Sequence, residues 1–292
     1  MVELPRDFTP DLRRLKTWPT IESSPWRQPY LADLTYGELY RLADGFVPRR
    51  KLRILEVGCG RGFLSLELAR KGHEVLGIDL DEEVVKTARR VMKSDPYKSK
   101  RATLEYEVAD FSSWNTVGKS YDLVIFNRVL HHIPRPNSVL DKVKHLLTFR
   151  GRIICIEYAY DRFERRSATW FYHIRRVLEQ AGWFASSKPL SDNIQVSVNR
   201  IMKDWHEHGR REGLNRFKEM HEPLRKLFRE RYFSWEPYIF WDIFMGMRIP
   251  SVETEMGFAR SIQAMERALI EKAAIGPILF CFVGDVLSGK HI

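Results

Sequence analysis

Two adjacent imidazoles, His131 and His132, stand in the run Asn127-Arg-Val-Leu-His-His-Ile-Pro134. Imidazole is the side-chain type whose proton exchange falls near neutral pH, so either could take a proton from a hydroxyl or a phenol. Adjacent side chains on an ordinary loop diverge, which leaves at most one of the pair to meet a substrate and the other to cap the segment that follows. Glu157 and Tyr160, after a later apolar run, are secondary candidates at the same edge. A His/Glu set also invites a metal, but contiguous histidines with a distant glutamate do not reproduce a ligand spacing, and no metal site is expected. A second group, Leu55-Glu-Val-Gly-Cys-Gly-Arg-Gly62, offers Gly58, Gly60 and Gly62 as points where the backbone can turn sharply and approach a ligand. A dinucleotide fingerprint would read GxGxxG, and Phe63 occupies the place of its third glycine, so a pyrophosphate cradle is disfavoured. Asp79, closing Glu74-Val-Leu-Gly-Ile-Asp79, can accept from both hydroxyls of a ribose without distinguishing one nucleoside cofactor from another.

Such groups need a scaffold that brings strand ends together, and the periodicity supplies one. Between Arg53 and Glu157, short apolar runs alternate with helical stretches, the pattern of parallel strands joined by crossover helices. Strands are predicted at Arg53–Val57, Glu74–Asp79, Thr103–Glu107, Tyr121–Phe126 and Gly151–Glu157. Helices are predicted at Phe63–Lys71, with Gly72 as C-cap, at Glu82–Met92, at Pro136–Leu147 and at Ser167–Ala181. The tail adds a strand at Tyr232–Phe240, a helix near Phe258–Lys272 and a strand at Pro277–Val283, read as a closing antiparallel pair. The expected fold is α/β: a doubly wound, mostly parallel seven-stranded sheet with an N-terminal helical cap and a helical lid insertion. Its segments are a cap at 1–50, a core at 51–182, the insertion at 183–231 and the completion of the sheet at 232–292.

The E-x-G-x-G-x-G order at Glu56–Gly62 resembles motif I of the class I S-adenosylmethionine-dependent methyltransferases. Ala109-Asp-Phe111, after the third strand, is similar to that family's adenine site, and Leu130-His-His-Ile-Pro134 is similar to its small-molecule motif IV. The resemblance implies a Rossmann-like methyltransferase fold with S-adenosyl-L-methionine as cofactor. It implies that Glu56 supports the loop and the cofactor's ammonium end, with Gly58, Cys59, Gly60 and Gly62 forming the loop. Asp79 would hold the ribose, Asp110 the exocyclic amine, and Phe111 or Leu80 would pack on the ring. Asn127 and Val129 would border the cofactor after the fourth strand, leaving His131 and His132 as the catalytic candidates. Methyl transfer from a sulfonium is an in-line displacement in which positioning dominates, and a base is needed only if the acceptor holds its proton. Members that methylate exocyclic amines of nucleobases place Asn-Pro-Pro-Tyr or Asp-Pro-Pro-Tyr where this chain has Asn127-Arg-Val-Leu, which argues against a nucleobase acceptor. The resemblance covers roughly residues 50 to 160, and the C-terminal strand loosely.

The chain has 292 residues, 44% hydrophobic and 12% aromatic, which is globular composition and excludes a disordered chain. No apolar run reaches the roughly 18 residues that a spanning helix needs. Residues 1–10 hold Glu3 and Asp7 without a continuous apolar stretch, and a cytoplasmic protein is expected. Cys59, Cys155 and Cys281 are far apart and read as buried free thiols. The net charge of +10 favours acidic partners without choosing between them. Much of the surplus falls in the insertion, where ten basic residues from Arg200 to Arg231 face six acids, with Trp205, Phe217 and Phe228 between. Three functions compete for that segment: a lid over a hydrophobic acceptor, a basic surface making peripheral membrane contact, or a nucleic-acid patch. Its alternating charges also suit an ordinary solvated face. The favoured reading is methyl transfer to a small or lipid-like acceptor, O-directed. RNA or protein methylation and a non-catalytic S-adenosylmethionine-binding module are the alternatives, with nucleic acid disfavoured by the absent tetrapeptide.

Overall fold

A computed structural model describes residues 25–287 apart from 98, 100 and 186–188, so residues 1–24 of the expected cap lie outside the described residues. The helices are α1 (Pro29–Ala32), α2 (Glu38–Asp44), α3 (Phe63–Arg70), α4 (Glu82–Ser94), α5 (Pro136–Leu146), α6 (Arg165–Gln180), α7 (Ile194–Arg211), α8 (Phe217–Leu227), α9 (Phe240–Gly246) and α10 (Val252–Glu271). The strands are β1 (Arg53–Val57), β2 (Glu74–Asp79), β3 (Thr103–Val108), β4 (Tyr121–Asn127), β5 (Leu147–Tyr158), β6 (Phe228–Glu236) and β7 (Leu279–Val286). Contacts group the described residues into two units, one from 39–158, 215–234 and 280–287, the other from 25–38, 159–214 and 235–279.

All seven strands form one sheet in the order β3-β2-β1-β4-β5-β7-β6. The pairs β1/β2, β1/β4, β2/β3 and β4/β5 are parallel, and the registers Val57↔Ile78, Val57↔Phe126, Asp79↔Val108 and Asn127↔Ile156 bring their C-terminal ends to one edge. From β1 the chain steps outward to β2 and β3, then returns to β4 on the other side. That reversal leaves a crevice outside the ends of β1 and β4, the usual ligand position in such sheets. The central strands are buried on both faces, with Ile54, Leu55, Val124, Ile125 and Phe126 at 0% exposure, and this is why their sequences read as continuous apolar runs. On the flanking helix α4, Val85, Ala88 and Val91 are buried at helical spacing. Asp81 starts that helix by accepting from the N–H groups of Glu83 and Val84 at 2.8 and 3.3 Å.

Two expectations change at the C-terminal side. The insertion was expected to hold no strand through Arg231, yet β6 begins at Phe228. Arg229, Glu230 and Arg231 mimic a solvated helix, but exposed charges also protect the open edge that β6 occupies. The strand expected at Tyr232–Phe240 stops at Glu236. Pro237 has no N–H for a ladder, and the N–H groups of Tyr238, Ile239 and Phe240 all donate to the Glu266 carboxylate at 2.8 Å, which starts α9 instead. The last strand runs between β5 and β6 with Phe280, Cys281, Phe282 and Val283 fully buried. All three cysteines are buried and free. Among the described residues no helix is long and apolar enough to cross a membrane.

Candidate active site

β1 feeds a turn, Gly58–Gly62, that opens α3. Gly58 lies at φ +69°, and a Cβ there would meet Val129 Cγ2 at 2.3 Å, so the segment after β4 packs directly on the glycine. Gly60, at φ +51°, has nothing within 4 Å on that side, which leaves backbone open to a ligand. The Tyr106 hydroxyl donates to Gly62 O at 2.7 Å and steadies the helix entrance. Four of the turn's five amides are engaged within the protein. Gly58 and Cys59 N–H donate to Ile78 O at 2.8 and 2.9 Å, Gly60 N–H to Asp79 Oδ2 at 2.7 Å, and Gly62 N–H to Cys59 O at 2.8 Å. The Cys59 side chain faces the core, against Val85, Ala88 and Tyr106, so only its backbone belongs to the loop.

Glu56 lies beneath the turn, 3% exposed, and the Ser65 hydroxyl donates to its Oε2. Burial pushes its carboxyl up to about 8; the Ser65 hydrogen bond opposes the rise and the Asp79 charge adds to it. Asn127, opposite Ile156 in the sheet, holds a buried Oδ1 with no partner among the described residues. Such an orphaned acceptor is costly unless a ligand donor completes it.

Above these groups is a cavity of about 530 Å³, bordered by Gly58, Asp79, Leu80, Asp110, Phe111, Val129 and His132. Leu80 is 74% exposed and offers apolar surface, while Phe111 is wedged edge-on to Phe126 at 6.0 Å. Asp110 Oδ1 accepts from Ser112 N–H at 2.8 Å, and Asp79 Oδ1 from Asp81 N–H at 3.0 Å; each carboxylate keeps lone pairs for further donors. Glu56, Cys59, Gly60, Gly62, Asn127 and His131 do not border the cavity itself; they surround or underlie its loop. From α5 the structure adds Lys142, whose Nζ donates to Phe111 O and Trp114 O at 2.7 Å and so fixes the segment after β3. Nothing in the sequence separates this lysine from a solvated one, although desolvation lowers its ammonium pKa.

The two histidines part company in a 3₁₀ turn, Leu130–His132. His132 borders the cavity, whereas His131 is 5% exposed with Nδ1 2.7 Å from Glu157 Oε2. Glu157 also accepts N–H groups from Val129 at 3.1 Å, Leu130 at 2.8 Å and His131 at 3.4 Å. It is fully buried and Tyr160 is 5% exposed, which corrects the expectation that either faces the open edge. Asn215, which sequence reading missed, donates its amide hydrogens to Leu130 O and Ile133 O at 2.9 and 2.8 Å. Among the described residues no group of three or more His, Cys, Asp or Glu is placed to hold a metal ion.

The chemistry of this set can be matched to a ligand. With the amides of Gly58, Cys59, Gly60 and Gly62 engaged, the loop offers a poor pyrophosphate cradle. The Asp79 carboxylate, the orphaned Asn127 Oδ1 and the Glu56 carboxyl, which a cation would draw into its ionised form, instead call for a cationic, hydroxyl-bearing ligand. Asp110 beside Leu80 and Phe111 adds an acceptor next to apolar surface, as a purine amine requires.

The family described as "Methyltransferase domain" matches residues 48–212, more than half of the chain. The ubiquinone biosynthesis O-methyltransferase of Ruegeria sp. (strain TM1040) is 31% identical over 132 residues, covering 45% of this chain and 51% of that protein. The chain thus spans about half the length of the curated relatives it matches. Among solved structures, an S-adenosylmethionine-dependent methyltransferase from Methanosarcina mazei superposes with a TM-score of 0.50 at 18% identity, covering 84% of this chain and 97% of that one. The geranyl diphosphate C-methyltransferase of Streptomyces coelicolor A3(2) gives 0.55 at 11% identity, covering 90% and 86%. At these identities the structures show the shared fold. Sheet order, glycine turn and the match over residues 48–212 lead to one conclusion: the chain belongs to the S-adenosylmethionine-dependent methyltransferase family.

Proposed function

We propose that this protein methylates a small or lipid-like acceptor at oxygen, with His132 as the group that takes the acceptor's proton. The observation that carries the reading is the position of His132 on the border of the same cavity as Asp79, Asp110 and Phe111. In it, Glu56, Asn127 and the Gly58–Gly62 turn hold the amino-acid end of S-adenosylmethionine, Asp79 the ribose, and Asp110, Leu80 and Phe111 the adenine. When bound, the cofactor supplies an electrophilic methyl group; the protein's task is to align an acceptor with it and exclude water. A neutral imidazole at this border suits a phenolic or hydroxyl acceptor, which must lose a proton as its oxygen is alkylated. The ubiquinone-pathway relative is named for O-methylation, which supports the same acceptor class. A groove of about 540 Å³ shares Arg135 with the cavity and is lined by Asn137, Lys218, Glu219, Glu222 and Lys226, giving an acceptor with an extended part room beside the reacting end.

The test is transfer of isotope-labelled methyl from S-adenosylmethionine to a panel holding a catechol, a prenylated catechol, a primary amine and total RNA. Label on the catechols that disappears in His132→Ala is expected. Label on RNA alone, or cofactor binding without turnover on any member, would replace this reading with one of its rivals.

A further inference from the structure

The cavity-side histidine sits on a segment, Val129–Ile133, that is held from two sides by residues far away in the chain. Glu157 receives the N–H groups of Val129, Leu130 and His131 together with the His131 ring at Nδ1. Asn215 takes the carbonyls: its backbone N–H donates to His131 O at 2.7 Å, and its side-chain amide spans Leu130 O and Ile133 O at 2.9 and 2.8 Å. Three successive residues therefore have their donors fixed by one fully buried carboxylate and their neighbouring acceptors fixed by one amide. The His131 ring, anchored on Glu157, lies 4.3 Å from the His132 ring at a tilt of 40°, so the anchor reaches the cavity through ring contact.

We propose that Glu157 and Asn215 are positioning residues that clamp the Val129–Ile133 segment and thereby set the His132 imidazole at the cavity. The inference rests on the reading of His132 as the acceptor-side base, but the clamp itself makes a claim about the loop that no acceptor is needed to test. Asn215 lies in the connection between α7 and α8, so a residue far along the chain sets the geometry of the motif after β4. Because a carboxylate only accepts, His131 donates its Nδ1 hydrogen to Glu157. A glutamine at 157 would keep one oxygen for the backbone N–H groups and turn its NH₂ toward Nδ1, forcing the ring proton to Nε2.

The experiment uses the full chain without cofactor. In Asn215→Asp, backbone amide exchange within residues 129–133 is expected to speed up about tenfold or more, as lost hydrogen bonds permit local opening, while amides of β1 and β2 keep their rates. In Glu157→Gln, the ¹⁵N spectrum of His131 is expected to switch from the Nδ1-protonated to the Nε2-protonated form. With S-adenosylhomocysteine as probe, both variants should bind severalfold more weakly, since Val129 borders the cavity and packs on Gly58 of the glycine turn. Unchanged exchange at 129–133 in Asn215→Asp, or acceleration spread equally across the sheet, would overturn the clamp. Should Glu157→Gln fail to fold, Asn215→Asp and Asn215→Ser decide the matter alone. A His132→Ala variant that keeps full methyl transfer would remove the base assignment and leave the exchange result to judge the clamp.

Discussion

The backbone N–H of Gly60 donates to Asp79 Oδ2 at 2.7 Å, so the turn after β1 and the carboxylate ending β2 are joined independently of any ligand. Asp79 therefore has two tasks in the proposed site, shaping the turn and receiving a ribose. Replacing it with alanine should weaken S-adenosylhomocysteine binding by about 1–3 kcal/mol, the range for losing hydrogen bonds to a charged group. Asp79→Asn keeps an acceptor for Gly60 and should lose less. Titration calorimetry checks both, and equal affinity in wild type and Asp79→Ala would move the ribose elsewhere.

Glu56 makes the site pH-dependent. Burial holds its carboxyl at about 8, far above the range in an unfolded chain. Proton binding is thus tighter in the folded apo-protein, whose stability from this group is complete below the ordinary carboxyl range and declines as pH rises through about 8. A cationic ligand favours the ionised form, so binding below that pH should expel a proton, and affinity should rise between pH 6 and 8 before levelling. Calorimetry in two buffers of different ionisation heat reads the proton directly. Heats that do not depend on the buffer would mean that Glu56 is ionised before the ligand arrives.

The glycines of the turn should respond differently to alanine. Both Gly58 and Gly60 are left-handed, a strain of roughly 1–2 kcal/mol for a residue with a Cβ. At Gly58 the added atom also collides with Val129, while at Gly60 it meets open space. Gly58→Ala should lower the urea midpoint the more, and Val129→Ala should recover part of that loss. Gly60→Ala should fold with a smaller penalty and lose ligand affinity instead. Identical unfolding curves for the two variants would contradict the packing of Val129 on Gly58.

Central strands were legible because burial on both faces leaves short apolar runs such as Ile54–Leu55 and Leu123–Phe126, and because Gly58 and Asp79 punctuate strand ends. The division of labour between His131 and His132 was not legible. It depends on Glu157 and Asn215, which meet the turn only through tertiary folding and carry no local spacing signal. The β6 boundary failed for a similar reason: the amides of Tyr238 to Phe240 are taken by Glu266, 26 to 28 residues downstream, a separation that no window of periodicity spans.

His131 and His132 should therefore fail in different ways when replaced. Removing the His131 ring takes a donor from the buried carboxylate of Glu157 and packing from His132, so His131→Ala should chiefly lower thermal stability, with any loss of rate following from a loosened turn. His132 is exposed and borders the cavity, so His132→Ala should melt near the wild-type temperature and bind S-adenosylhomocysteine with little change. If His132 takes the acceptor's proton, its loss should slow methyl transfer to a phenolic acceptor by roughly 10²–10⁴-fold. An acceptor supplied already deprotonated should be much less affected by the substitution, because the base is then redundant. Measuring the rate of His132→Ala on two phenols of different acidity separates these cases: equal slowing on both would assign His132 to orienting the acceptor rather than to proton removal.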